Sequence, residues 1–338
     1  MSRRVAVRSA LECRVATYAI ALVSVRCRST AGIRGETIVH RCFAVLVGVM
    51  TCAFVVPSAA FAALTPRYSF PDAIAVGVLK PNVLPGANDW SCRPTAEHPR
   101  PVILVHGTGA NMALTWRAVS PELKNRGYCV FALNYGGTGP SFGNAAIDRS
   151  ARELGVFVDR VLAATGASKV DLVGHSQGGM MPRQYLRFEG GASKVATLLG
   201  FSPSNHGAIL PLTSGITGPP WLVRLVRSLT RSTSPAWRDQ TSGSPFLTRL
   251  NEGRETEVGV SYVVIQTRYD EIVTPWQSSL LQGDSVRNIV VQDGCDLNRI
   301  DHAAIVYDRR SVALALHALD PADRTPIPCT RVRQWVGG

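Results

Sequence analysis

The sequence is short of charge and of aromatic rings. Only 18% of its 338 residues are Asp, Glu, Lys or Arg, and 7% are Phe, Trp or Tyr. With 46% apolar residues, so little charge excludes disorder as the dominant state and allows a sizeable core. Internal repeats and long low-complexity tracts are absent, which excludes repeat architectures. There is no Cys-x-x-Cys pair and, beyond residue 62, no close Cys/His spacing, so a metal site is not expected. No basic run is interleaved with aromatics, so nucleic acid is not an expected partner, although the formal net charge is +12.

What charge there is lies unevenly. Residues 1–42 carry eight arginines against Glu12 and Glu36, a net +6, and the other 296 residues share the remaining +6. No charged residue falls between Cys42 and Pro66. Phe43 to Val56 is an apolar run, Pro57 breaks it, and Ala60-Phe61-Ala62 follows among small residues. A basic start, an apolar centre and small residues at an Ala-x-Ala site are the pattern of a cleavable export signal. The competing reading is an uncleaved membrane anchor, since 25 uncharged residues reach across a bilayer. Pro57 and the small residues favour cleavage, expected after Ala62. A leader of 62 residues is long for its type, which points to a start further downstream. Residues 63–338 are then expected as a single secreted domain.

Export changes the meaning of the cysteines. Cys13, Cys27, Cys42 and Cys52 fall in the leader, and Cys92, Cys129, Cys295 and Cys329 remain. An even number in an exported chain reads as disulfides. Four cysteines allow three pairings. Cys92 with Cys129 and Cys295 with Cys329 is the favoured one, because each pair is near in sequence and flanks a predicted strand.

Residues 63–98 are rich in Pro, Gly and Asn and read as an irregular arm. Strands are expected at 102–105, 128–133, 170–173, 195–199, 262–266 and 289–292. Helices are expected at 114–126, 148–164 and 177–188. Continuously apolar strands alternating with helices predict an α/β fold with a mostly parallel sheet covered on both faces. The stretch 202–251 holds no predicted strand. Inside it Leu222, Leu225, Val226 and Leu229 form one helical stripe, with Arg224, Arg227 and Arg231 on another face. That is either a helix packed on the sheet or a lid-like insertion over an apolar groove, and the three arginines suit transient contact with a lipid interface.

Gly174-His175-Ser176-Gln177-Gly178 fits Gly-x-Ser-x-Gly between a predicted strand and a predicted helix. That context is a nucleophile elbow, which presents the Ser176 hydroxyl at the strand's end above a helix N-terminus. A serine nucleophile needs a base, and the base needs an orienting acid. His302, after the last predicted strand, is the expected base, with His206 as runner-up. His175 is expected to point away from Ser176. Asp270 ends the segment Thr267–Asp270 that directly follows the strand at 262–266, which makes it the expected acid, ahead of Asp239, Asp293, Asp296 and Asp301. Glu271 is expected to point elsewhere. His106-Gly107-Thr108-Gly109 follows the first strand and can aim the Thr108 amide at a substrate oxygen, with the Gln177 amide as its partner.

The segments Arg100–Asn111 and Gly127–Gly136, the elbow with Gly178–Arg183, Tyr269–Pro275 and Asp301–Ala303 resemble the secreted bacterial lipases of the class 2 lipase family. The resemblance extends over about residues 85–330. It implies an α/β-hydrolase fold, hydrolysis of carboxylic esters including acylglycerols, and a triad at Ser176, Asp270 and His302. It also supports the disulfide pairing. No cofactor is expected, and a monomer is. A short-chain esterase, polyester hydrolase or acyltransferase would carry the same triad, and a non-catalytic binding protein of this fold is a further alternative.

Overall fold

The computed structural model describes residues 63–137, 141–208 and 234–338, with the backbone of 25–26 and 41–42. The chain divides into two compact units, Met1–Phe61 and Ala62–Gly338. In the first, β1 (Val25–Arg26) pairs antiparallel with β2 (Arg41–Cys42). The rest of the expected leader lies outside the described residues, as does the amphipathic stripe at 222–229 with its three arginines.

The second unit is built on six parallel strands: β3 (Val102–Val105), β4 (Val130–Leu133), β5 (Val170–His175), β6 (Val195–Phe201), β7 (Ser261–Gln266) and β8 (Val286–Val290). Their order is β4-β3-β5-β6-β7-β8. The chain steps from β3 outward to β4, then returns to the other side of β3 for β5. The order therefore reverses between β3 and β5, where open α/β sheets form a crevice at the strands' carboxyl ends.

Alternate strand residues feed two apolar layers. Val102, Leu104, Val130 and Val173 pack to one face, while Ile103, Val105, Phe131 and Leu172 pack to the other. Helix α4 (Ile147–Thr165) covers the second face with the fully buried Leu154, Val158 and Val161. Burying one such side chain contributes about 2 kcal/mol, so this stripe alone is a large part of a domain's stability. α5 (Gln177–Phe188) lies on the same face and is buried over nearly its whole length. α8 (Arg309–Leu319) brings Val312, Leu314 and Leu316 to the first face.

Three expectations are corrected. The arm at 63–98 contains a helix, α1 (Phe70–Leu79), started by Ser69, whose hydroxyl accepts from the Asp72 amide, and by Pro71 in its first turn. The expected helix at 114–126 is two, α2 (Met112–Thr115) and α3 (Val119–Asn125). Pro121 has no N–H to give the Arg117 carbonyl, so it fits the first turn of α3, where that bond is not needed, and disfavours a helix continuing from Thr115. The last strand sits at 286–290, earlier than 289–292, because this edge strand leaves Arg287 and Asn288 exposed and shows no continuous apolar run.

Both favoured disulfides are present. Cys92 and Cys129 lie 5.7 Å apart at Cα, and Cys295 and Cys329 5.4 Å. Closing loops of 37 and 34 residues, each contributes about 4 kcal/mol by restricting the unfolded chain. In the stretch expected as an insertion, 202–251, the described residues form α6 (Pro235–Gln240) and α7 (Pro245–Asn251). α5 pins its far end: Arg183 donates to Asn251 Oδ1 at 2.7 Å, and Arg187 donates to the carbonyls of Leu250 and Glu252 at 3.1 and 2.6 Å. Among the described residues no helix is long and apolar enough to cross a membrane.

Candidate active site

Ser176 joins β5 to α5 in a conformation that side chains rarely take, with φ 53° and ψ −121°. Such strain persists only where the surroundings dictate it. Here the two flanking glycines do. A Cβ on Gly174 would stand 1.8 Å from the Gly178 carbonyl oxygen, and one on Gly178 would stand 2.0 Å from that of Val105. Strand, turn and helix close on each other at distances that no side chain fits. Gly174→Ala is accordingly expected to lower unfolding stability by about 3 kcal/mol, the upper end for overpacking, measured by denaturant titration. The loss should exceed that of an alanine placed at the open Gly166, which has nothing within 4 Å.

The expected acid and base meet. His302 Nδ1 is 2.9 Å from Asp270 Oδ2, and the two side chains are 7% and 0% exposed. Asp270 is fixed by more than the histidine. Its Oδ1 accepts from the amides of Ile272 and Val273 at 2.9 and 2.7 Å, and its Oδ2 also accepts from Gln266 Nε2 at 3.1 Å. Burial pushes the Asp270 carboxyl up, but His302 and these donors outweigh it and hold the pKa below the ordinary aspartate value. Burial likewise pulls His302 down, and Asp270, with Glu271 and Asp301 behind it, raises it above the ordinary histidine value. Both shifts favour a carboxylate facing an imidazole ready to become cationic.

Ser176 and His302 line one cavity of about 250 Å³ at the carboxyl end of the sheet. Its other walls are largely apolar: Phe70, Leu114, Trp237, Ile272, Val306 and Tyr307. The turn after β3 closes the floor. A Cβ on Gly107 would lie 3.1 Å from Ser176 Cβ, so the His106–Gly109 turn runs directly beneath the serine. Tyr135 braces that turn by stacking on His106, centroids 4.4 Å apart, and by donating its hydroxyl to the His106 carbonyl at 2.6 Å. The hydroxyl of Thr108 donates to Gln177 Oε1 at 2.6 Å and accepts from Gln240 Nε2 at 2.8 Å. The two residues expected to supply oxyanion amides are thereby tied together beside Ser176, and α6 is tied to them.

The rival residues are committed elsewhere. His206 pairs with Glu255 at 2.6 Å and contacts the Ser278 carbonyl at 2.9 Å. His98 stacks on Tyr128, and His317 contacts the Thr325 carbonyl at 2.7 Å. Asp239 caps the start of α4 through the Ile147 amide at 3.1 Å, Asp293 pairs with Arg268, and Asp301 accepts from the amides of Ala303 and Ala304. Two residues do not behave as expected. Glu271 does not point elsewhere: its Oε2 accepts from the His302 amide at 3.3 Å. Nor does His175 turn away: its ring faces His302. Gln266 and Gln240 also reach the site, and isolated glutamines carry no sequence signal that would have singled them out. Among the described residues no group of three or more His, Cys, Asp or Glu side chains is placed to hold a metal ion.

A parallel sheet with a serine elbow after one strand and a carboxylate-paired histidine after the last is an α/β-hydrolase arrangement. The crystal structure of Aspergillus fumigatus lipase B shares the fold: TM-score 0.56 at 21% sequence identity, over 72% of this chain and 56% of that one. The model of the class 2 lipase family matches residues 99–312, well over half of the sequence. The chain belongs to the class 2 lipase family. It is also similar to a triacylglycerol lipase of Pseudarthrobacter phenanthrenivorans, 40% identical over 88 residues, which is 25% of this chain and 27% of that protein. A triacylglycerol lipase of Burkholderia plantarii matches at 40% over 88 residues, 25% and 24% of the two chains. These matches span about a quarter of each relative's length.

Proposed function

We propose that the protein hydrolyses carboxylic esters of acylglycerols by two-step acyl transfer through Ser176, His302 and Asp270. The observation that carries this reading is the buried 2.9 Å contact between His302 and Asp270 at the wall of the cavity that also holds Ser176. Nδ1 of His302 faces the carboxylate, which leaves Nε2 to take the serine proton. Ser176 Oγ attacks the ester carbonyl carbon, and the proton passes to His302. The amides of Thr108 and Gln177 hold the oxyanion. His302 returns the proton to the leaving alcohol, an acyl-serine remains, and water repeats the sequence to release the acid.

The apolar walls suit the acyl chain of the ester, and the names of the relatives point to the same substrate class. Export of residues 63–338 after removal of the leader is part of the proposal, and two disulfides support it because such bonds persist in oxidising compartments. Purified protein is expected to release acid from tributyrin and triolein emulsions, read by pH-stat titration. Activity on tributyrin alone would leave a short-chain esterase; no activity on either would overturn the reading.

A further inference from the structure

Next to the proposed nucleophile stands a side chain that the reaction does not use. His175, the last residue of β5, is buried, and its ring centroid lies 5.0 Å from that of His302. Its Nε2 is 2.8 Å from the carbonyl oxygen of His302. A carbonyl oxygen only accepts, so Nε2 carries the hydrogen and donates it. Nδ1 is packed against the turn after β3, where a Cβ on Gly107 would come within 3.3 Å of it. Burial pushes the His175 pKa down to about 3, so the ring stays neutral and keeps this tautomer wherever a histidine base works.

His302 itself sits in a turn, in neither helix nor strand. Side chains hold its peptide groups from both sides: its N–H donates to Glu271 Oε2, and its carbonyl accepts from His175. His175 is also the residue immediately before Ser176. The strut that holds the base and the group the base must reach are therefore consecutive on one rigid strand end.

We infer that His175 is a positioning residue, whose Nε2–H fixes the His302 peptide and so holds the His302 imidazole in line with Ser176. The inference rests on the reading of Ser176, His302 and Asp270 given above. Its consequence is that the base follows the nucleophile through any small shift of the elbow. Misplacing a catalytic group by about 1 Å costs about 100-fold in rate.

The test compares kcat and KM for p-nitrophenyl butyrate in the full chain, His175→Phe and His175→Gln. Phenylalanine keeps a ring and loses the donor, whereas glutamine returns an amide N–H near the position of Nε2. His175→Phe is expected to lose about 100-fold in kcat with KM within about twofold, because phenylalanine keeps a ring at the cavity wall. His175→Gln is expected to recover at least about tenfold of that loss. The low-field proton resonance of His302 Nδ1–H should broaden or vanish in His175→Phe and persist in His175→Gln. If His175→Phe does not fold, His175→Asn replaces it, since its amide is too short to reach the carbonyl and the same loss is expected. A folded His175→Phe or His175→Asn with wild-type kcat overturns the inference, as does a His175→Gln no better than His175→Phe. Full activity in Ser176→Ala would instead sink the underlying site, so the two failures are distinguishable.

Discussion

Ser176→Ala is expected to lower ester turnover about a million-fold and to leave the fold unchanged. Without the hydroxyl there is no acyl-enzyme, so neither half of the reaction has a route through the protein. The bound ester and the oxyanion amides remain, and they leave a residue of about 1,000-fold over water. The fold is spared because the glycines, not the serine side chain, set the turn: the close contacts at Gly174 and Gly178 are untouched, and alanine meets the same backbone strain as serine at φ 53°. Hydrolysis of p-nitrophenyl butyrate and a thermal unfolding curve read the two halves of this expectation. A folded Ser176→Ala protein with more than a trace of turnover would contradict it.

Asp270→Asn should cost about 10,000-fold in kcat. Asp270 Oδ2 accepts the His302 Nδ1 hydrogen, and Oδ1 is already engaged by the Ile272 and Val273 amides. An asparagine held the same way turns its NH2 toward His302. The imidazole must then accept at Nδ1 and carry its hydrogen on Nε2, where it cannot take the serine proton. The pH profile adds a second readout. The proposed base is neutral His302, so wild-type kcat/KM is expected to fall as pH drops through the His302 pKa. Burial lowers that pKa and Asp270 raises it above the ordinary value near 6.5, the attraction prevailing. With that charge gone, burial is opposed only by the weaker pull of Glu271 and Asp301, and the acid limb of the residual activity should move to lower pH. Stability follows the same linkage. Cationic His302 favours the folded protein fully below pH about 6.5, and that contribution fades as pH rises through the folded-state pKa. Asp270→Asn should remove this slope from the wild-type curve of melting temperature against pH. An acid limb that stays in place would mean that Asp270 does not act on the base.

The parts of the site legible in the sequence are those whose chemistry forces a pattern. The elbow needs glycines two residues either side of the serine because backbone occupies the space, so Gly174 and Gly178 mark Ser176 unaided. The proposed acid and base follow strand ends in a fixed chain order, which points to Asp270 and His302 ahead of several competitors. The cysteine pairing was accessible because each pair is near in sequence and flanks a predicted strand. The supporting contacts were not legible, because they depend on three-dimensional approach. Nothing in the string Asp270-Glu271 says that both carboxylates reach His302, one to its ring and one to its amide. His175 was expected to face away because neighbours on a strand alternate, yet the sharp turn at Ser176 breaks the alternation and leaves both residues at the cavity. Helix α1 was missed for a different reason. The Pro, Gly and Asn around it mask a ten-residue helix whose start, Ser69 to Asp72, was there to be read. Pro121 likewise signalled the first turn of a new helix, α3.

The central claim is that Ser176 is the nucleophile activated by His302. Its most direct measurement is peptide mapping by mass spectrometry after reaction with a fluorophosphonate, which phosphonylates only an activated serine. The expected result is one adduct per chain, on the peptide that contains Ser176, absent from Ser176→Ala and strongly slowed in Asp270→Asn. An adduct on another residue, or none on folded wild-type protein, would contradict it.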